Sequence, residues 1–224
     1  MILEVLKFPD PRLRKKGAPV ARIAPEHLEL AQNMLDTMYE KKGIGLAAPQ
    51  VGQSVRLVVI DVRGKDENGA PTTEDLTELE LAVEQPLIAF NPLITRKVDK
   101  TTYDEGCLSV PGFFETVERA QYIEVKYLAA DGSERLLKAD GLLAICIQHE
   151  IDHLDGKLFI DRLSVIKSTR IKNRIKKSGY PTPEEAKEEL RHRRERRGRQ
   201  SQNEGAAGGE GEDGDSDEKE EVAL

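Results

Sequence analysis

His149-Glu150-Ile151-Asp152-His153 is the segment of this chain best suited to chemistry. On an α-helix, residues four apart differ by roughly 40° in direction and one turn in height, so both imidazoles can reach one metal ion. The glutamate beside the first histidine then stands near the ion's open position and can act as general base on water. The plainer reading is a helix with two surface histidines. Leu142, Leu143, Ile145, Cys146 and Ile147 just before them are apolar nearly all round, which argues for a buried helix instead.

A catalytic site of this kind needs three protein ligands and one open position. The other histidines are His27, which starts an amphipathic pattern, and His192, which lies amid arginines. Cys107 is the better third ligand. It sits in Glu105-Gly106-Cys107-Leu108-Ser109-Val110-Pro111-Gly112, where flanking glycines and a proline indicate a tightly shaped loop or strand end. A thiolate is a soft ligand that suits Zn²⁺ or Fe²⁺. Taken alone, a solitary cysteine more often packs as a small buried hydrophobe. Cys146, on the same helix as His149, is a rival ligand or a pocket wall.

Gly43-Ile44-Gly45-Leu46-Ala47-Ala48-Pro49-Gln50 matches a dinucleotide fingerprint in letters but not in context. That motif follows a strand and opens a helix, whereas here it follows a helix and leads into a strand. Its glycines and the Gln50 amide suit a loop that lets backbone approach a substrate, or an ordinary helix-to-strand turn.

The elements that must position these groups are legible from periodicity. Pro25 opens a helix with Leu28, Ala31, Met34, Leu35 and Met38 on one face, stopping at Gly43. Val55 to Val62 reads as a buried strand. Gly64 to Gln85 is polar and interrupted by Gly69 and Pro71, so it reads as a long surface insertion with a short helix around Leu76 to Val83. Leu87 to Phe90 is a strand closed by Asn91-Pro92. Tyr122 to Leu128 and Glu134 to Lys138 form a hairpin about Asp131-Gly132. Asp140 is placed to cap the histidine-bearing helix. Ser164 caps another with Ile166, Ile171 and Ile175, and Thr182 with Glu185 starts a short charged one. The class is α+β, with antiparallel strands packed around a buried His-Glu-x-x-His helix.

The net charge of −7 belongs to a tail: Glu204 to Glu221 holds nine acids against Lys219 and carries −8, leaving +1 elsewhere. That tail is too poor in apolar residues to fold, and the run from Lys167 to Arg199 is basic, either a solvated face or an RNA-facing one. No apolar run approaches the roughly 18 residues of a membrane span, and Met1 to Gly17 lacks the apolar core of a signal peptide. Two cysteines make no disulfide framework, so a reducing, cytoplasmic setting is expected.

The Gly43–Gln50 loop, the Glu105–Ser109 segment and Gln148-His149-Glu150-Ile151-Asp152-His153, in that order, resemble the peptide deformylase family. The likeness runs from about Leu3 to Lys177 and includes Pro9-Asp10-Pro11-Arg12-Leu13-Arg14 and Leu154-Asp155-Gly156. The resemblance implies that Cys107, His149 and His153 hold Fe²⁺, with Zn²⁺, Ni²⁺ or Co²⁺ as substitutes. It implies that Glu150 takes a proton from the attacking water and passes one to the leaving amine. The Gln50 amide and the Leu108 backbone N–H would meet the developing oxyanion. Backbone at Ile44, Gly45 and Gly106 would pair with a nascent formyl-methionyl peptide, whose methionine enters a pocket of Ile44, Leu142, Ile145 and Cys146, with Arg119 near it.

The resemblance further implies a bacterial-type enzyme with a helical C-terminus, whose Arg170, Lys172, Arg174, Lys176 and Lys177 would contact ribosomal RNA. The expected division is a catalytic domain over 1–180, a basic, partly helical extension over 181–200 and an acidic disordered tail over 201–224. The Gly64–Gln85 insertion is longer than in compact members, and Lys42 stands where some members have an acid. Two rival readings are a metallopeptidase, favoured by the His-Glu-x-x-His spacing alone, and a ribosome-associated binding protein whose metal is structural or absent.

Overall fold

A computed structural model of the chain describes residues 1–67, 69–189 and 191–192. The acidic segment expected to be disordered, and 193–200 of the basic extension, lie outside the described residues. In chain order the elements are α1 (Pro25–Glu40), β1 (Gly45–Ala47), β2 (Leu57–Ile60), β3 (Gly64–Lys65), β4 (Pro71–Thr72), α2 (Glu78–Leu81), β5 (Leu87–Glu105), β6 (Glu115–Leu128), β7 (Glu134–Ala139), α3 (Gly141–Leu154) and α4 (Val165–Ser178).

Five strands form one antiparallel sheet in the order β1-β2-β5-β6-β7. The apolar run of β2 explains why this sheet is covered on both sides. Its alternate residues point to opposite faces. Val58 and Ile60 meet Leu143, Ile147 and Ile151 of α3, while Leu57 and Val59 meet Met34 and Met38 of α1. A third cluster joins Cys107, Val110 and Phe113 to Phe159 and to Ile171 and Ile175 of α4.

The helix α3 is buried from Leu143 to Leu154, as its all-round apolar pattern requires. Gln148 fixes its height on the sheet: Oε1 accepts from Ala120 N–H at 3.0 Å, and Nε2 donates to the Ala120 carbonyl at 2.9 Å. An amide side chain thus satisfies a β6 residue as a neighbouring strand would.

Several elements differ from their sequence reading. The strand at Leu87 does not close at Asn91-Pro92 but continues to Glu105, with register shifts at Phe90/Leu93 and Ile94/Arg96. Proline needs no ladder hydrogen bond at such an irregularity, and asparagine tolerates the φ of +51° found at Asn91. The Asn91 side chain also bonds Val20 N–H and C=O, both at 2.8 Å, which holds the irregularity in place. The partner strand begins at Glu115 rather than Tyr122. The left-handed residue after α1 is Lys42, with φ +56°, not Gly43. Thr182 and Glu185 do form the expected reciprocal cap, with bonds of 2.9 and 3.2 Å, and 183–189 is helical.

Candidate active site

Cys107 follows the end of β5, and His149 and His153 lie one turn apart on the side of α3 that meets Phe159 and the Cys107 segment, so strand register and helix height bring the three together. Their ligand atoms lie within 4.8 Å of one another, and all three residues are buried. His153 Nε2 is 3.2 Å from His149 Nε2 and 3.3 Å from Cys107 Sγ. Tetrahedral ligands on metal bonds of about 2.0–2.3 Å sit about 3.3–3.6 Å apart, so this donor set fits one transition-metal ion.

The protonation states agree with that use. Burial, reinforced by His149, holds the His153 pKa well below its ordinary value, so the ring is neutral and a ligand. Burial pushes the Cys107 thiol up, opposed by the backbone N–H groups of Ser109 and Val110. Only a cation at Sγ makes the thiolate favourable there. His149 Nδ1 lies 2.8 Å from Glu105 Oε2. With Nδ1–H donating to that carboxylate, the Nε2 lone pair is turned toward the other ligands.

Glu105 is itself clamped. Arg119 Nε donates to Glu105 Oε1 at 2.6 Å and Nη2 to Oε2 at 2.9 Å, while Nη1 donates to Asp152 Oδ2 at 2.6 Å. Arg162 completes the shell of Asp152. Burial works against both carboxylates, but the guanidinium groups outweigh it: Glu105 stays below its usual pKa and Asp152 is lowered to about 2. Arg119, expected near the methionine pocket, is 4% exposed and bonds Glu105 and Asp152 in this network. Its role follows from Glu105 and Asp152, two buried acids that need a shared cation.

Glu150 turns its carboxylate the other way. Both oxygens are buried and bond to no group among the described residues. Burial, then the charge of Glu105, raises its pKa well above the ordinary value. Such an unpaired buried carboxylate is costly and marks a place where a ligand completes the bonding. Gly45 makes the room, since a Cβ there would stand 2.5 Å from Glu150 Oε1 and 2.7 Å from Cys146 Sγ. Cys146 lies outside the ligand trio, its thiol 3.7 Å from the Ile44 carbonyl.

Gln50 is fully buried in the 3-10 turn Ala48–Val51. Its Oε1 accepts from Ala47 N–H at 2.8 Å, which forces Nε2 toward Ser109 Oγ at 3.2 Å and Cys107 Sγ at 3.7 Å. The amide therefore presents N–H groups to the metal-ligand side. Leu108 follows Cys107 directly and is half-buried in the same turn. Gly106 is overlain by the Phe114 ring, 2.5 Å from where its Cβ would be. Ile44, Ile145 and Cys146 lie in one apolar cluster, against which Leu142 and Tyr103 pack.

Sequence reasoning missed the groups that align these loops. The N-terminal segment bridges two of them, with Leu6 N–H donating to the Gln50 carbonyl at 2.7 Å and Phe8 N–H to the Ser109 carbonyl at 2.9 Å. No periodicity marks such contacts. Glu105, by contrast, stands in the cysteine segment and was available as an acid two residues from a ligand.

Residues 2–169 match the profile of the polypeptide deformylase family. The peptide deformylase of Alkalilimnicola ehrlichii is 47% identical over 176 residues, covering 79% of this chain and 90% of that protein. The crystal structure of a peptide deformylase from Legionella pneumophila aligns with a TM-score of 0.66 at 40% identity, over 79% of this chain and 95% of that one. The Ehrlichia chaffeensis peptide deformylase in complex with actinonin aligns with a TM-score of 0.68 at 37% identity, over 79% and 98%.

Proposed function

This chain belongs to the peptide deformylase family, and from that premise we propose how its own residues carry the reaction. The protein is a hydrolase that removes the N-terminal formyl group from formyl-methionine of newly made polypeptides and releases formate. The observation that supports the assignment of roles is the meeting of Cys107, His149 and His153 with an unpaired Glu150 carboxylate and an inward-turned Gln50 amide.

We assign Cys107, His149 and His153 as the residues that would hold Fe²⁺, with Zn²⁺, Ni²⁺ and Co²⁺ acceptable to the same donor set. When bound, the ion supplies a Lewis acid that polarises the formyl oxygen and acidifies water. Glu150 takes the proton of the attacking water and delivers one to the departing amine. Gln50 Nε2–H and the Leu108 backbone N–H donate to the oxyanion as it develops, and both are anchored before reaction begins. We assign the backbone of Ile44, Gly45 and Gly106 to pairing with an extended peptide. Ile44, Leu142, Ile145 and Cys146 enclose the methionine side chain. Arg119 acts through Glu105, which orients His149, and also holds Asp152 on the ligand-bearing helix.

The same reading gives a catalytic unit over 1–180, followed by the basic extension and the acidic tail, at work in the cytoplasm on nascent chains. No helix of the described residues is long and apolar enough to cross a membrane. Arg170, Lys176 and Lys177 are exposed on α4, whereas Arg174 is tied to Glu189 and Lys172 to Asp161. We assign the exposed three to phosphate contact with ribosomal RNA. Charge reversal of these residues should abolish salt-sensitive co-sedimentation with ribosomes, and undiminished binding would refute the assignment.

The test of the central reading is formate release from a formyl-Met tripeptide, with bound metal quantified in the same anaerobic sample. Release proportional to bound metal is the expected result. Fully metallated protein that releases no formate but cleaves unformylated peptides would return the metallopeptidase reading.

A further inference from the structure

The Gly64–Gln85 segment is an insertion in sequence, yet it places one carboxylate inside the fold. Glu80 is 2% exposed. Its Oε1 accepts from the Leu143 backbone N–H at 2.8 Å, and its Oε2 accepts from the Thr77 N–H at 2.9 Å. Thr77 Oγ1 in turn accepts from Glu80 N–H at 3.1 Å and donates to Asp140 Oδ1 at 2.5 Å. Asp140, the N-cap residue of α3, makes no side-chain cap of its own. The first turn of the helix that bears the metal ligands is therefore capped by another part of the chain.

The fit is close on every side. Gly141 takes a φ of +55°, and a Cβ there would stand 2.7 Å from Glu80 Oε1. Leu76 and Val83, which flank Glu80, pack on the cluster that holds Leu143, Ile145 and Cys146. Gln85 ties down the far end of the insertion by accepting from Val62 N–H at 2.8 Å. Both oxygens of Glu80 face N–H donors, so the site demands a carboxylate. A glutamine offers one oxygen and one NH₂, and the NH₂ would confront a donor.

We propose that Glu80 is a positioning residue for the methionine pocket, and that the insertion sets how that pocket receives its side chain. The inference rests on reading Ile44, Leu142, Ile145 and Cys146 as that pocket. Leu142 sits in the capped turn, and Ile145 and Cys146 lie in the next. His149 lies about 9 Å further along the axis from Leu143, and Gln148 pins that part of the helix to β6 independently. Loosening the cap thus moves the pocket wall and leaves the metal ligands in place.

The experiment measures formate release by full-length, metal-loaded protein on formyl-Met-Ala-Ser and formyl-Ala-Ala-Ser. An alanine side chain is too short to use the wall that α3 provides. Glu80→Ala and Glu80→Gln should raise KM for the methionine peptide roughly three- to tenfold, because substrate binding must then reorder the turn. The methionine-to-alanine ratio of kcat/KM should fall by a similar factor, with kcat and metal content within about twofold of the unsubstituted protein. Glu80→Gln keeps the volume and one hydrogen bond, so it carries the comparison if Glu80→Ala yields no soluble protein. Unchanged KM and selectivity would overturn the proposal. So would equal loss on both substrates at constant KM, which is what a smaller folded fraction produces. If the unsubstituted protein shows no preference for methionine, the pocket assignment itself fails, and that result appears without any substitution.

Discussion

Gly45→Ala tests the packing of the site at a single atom. Gly45 lies in strand β1, and its backbone does not occupy the left-handed region, so alanine brings no conformational strain of its own. The added Cβ would meet Glu150 Oε1 at 2.5 Å, Glu150 Cδ at 3.0 Å and Cys146 Sγ at 2.7 Å. To regain an ordinary contact of 3.4 Å, the carboxylate oxygen must retreat by about 0.9 Å. Glu150 is fully buried, so it has no solvent to swing into. Displacing a general base by about 1 Å costs on the order of 10²-fold in rate, or roughly 2.7 kcal/mol of transition-state stabilisation. If β1 yields instead, overpacking costs about 1–3 kcal/mol of stability. The assay is kcat for formate release per bound metal, with urea unfolding of the same sample. Adding Cys146→Ala removes the sulfur contact but not the carboxylate one, so the double variant should remain impaired. A Gly45→Ala protein with kcat within about threefold of the original would refute the reasoning, as would full recovery in the double variant.

Cys107→Ala should lose bound metal and activity together, since two imidazoles alone are a weak site; full metal retention by elemental analysis would remove Cys107 from the ligand set. Glu150→Gln should retain the metal and lose about 10²- to 10⁴-fold in kcat, and an active variant would end the general-base assignment. Arg119→Met strands Glu105 and Asp152 in a buried setting and should cost about 3–5 kcal/mol in urea unfolding. A loss under about 1 kcal/mol would show that His149 and Arg162 suffice to hold those two acids.

What could be read in the sequence divides by distance along the chain. His149 and His153 share one helix, so a period of 3.6 residues places them without knowledge of the fold. The burial of α3 was legible for the same reason, because its apolar residues leave no face for water. Cys107 was ambiguous alone, since its place depends on how β5 and β6 pair over their whole length. Only the joint occurrence of three motifs resolved it. The ion-pair partners of Arg119 were not legible, because they lie 14 and 33 residues away and nothing local says that a strand arginine turns inward.

The insertion is the sharpest case of this limit. Its polarity and its Gly69 and Pro71 read as surface, and most of it is exposed. Yet Glu80 bonds a backbone N–H 63 residues away, at the helix end that Asp140 fails to cap. A helix whose first turn is buried must have its free N–H groups satisfied from somewhere. The sequence offers Asp140 for that task, an acid of the preferred type at the preferred place, but its carboxylate accepts from Thr77 Oγ1 and caps no N–H of α3. The acceptor for the Leu143 N–H comes instead from Glu80, an acid of the insertion well placed to meet the positive end of the helix. The two histidines of this site are thus written locally, while the place of Cys107 and the alignment of all three depend on strands, acids and amides drawn from distant segments.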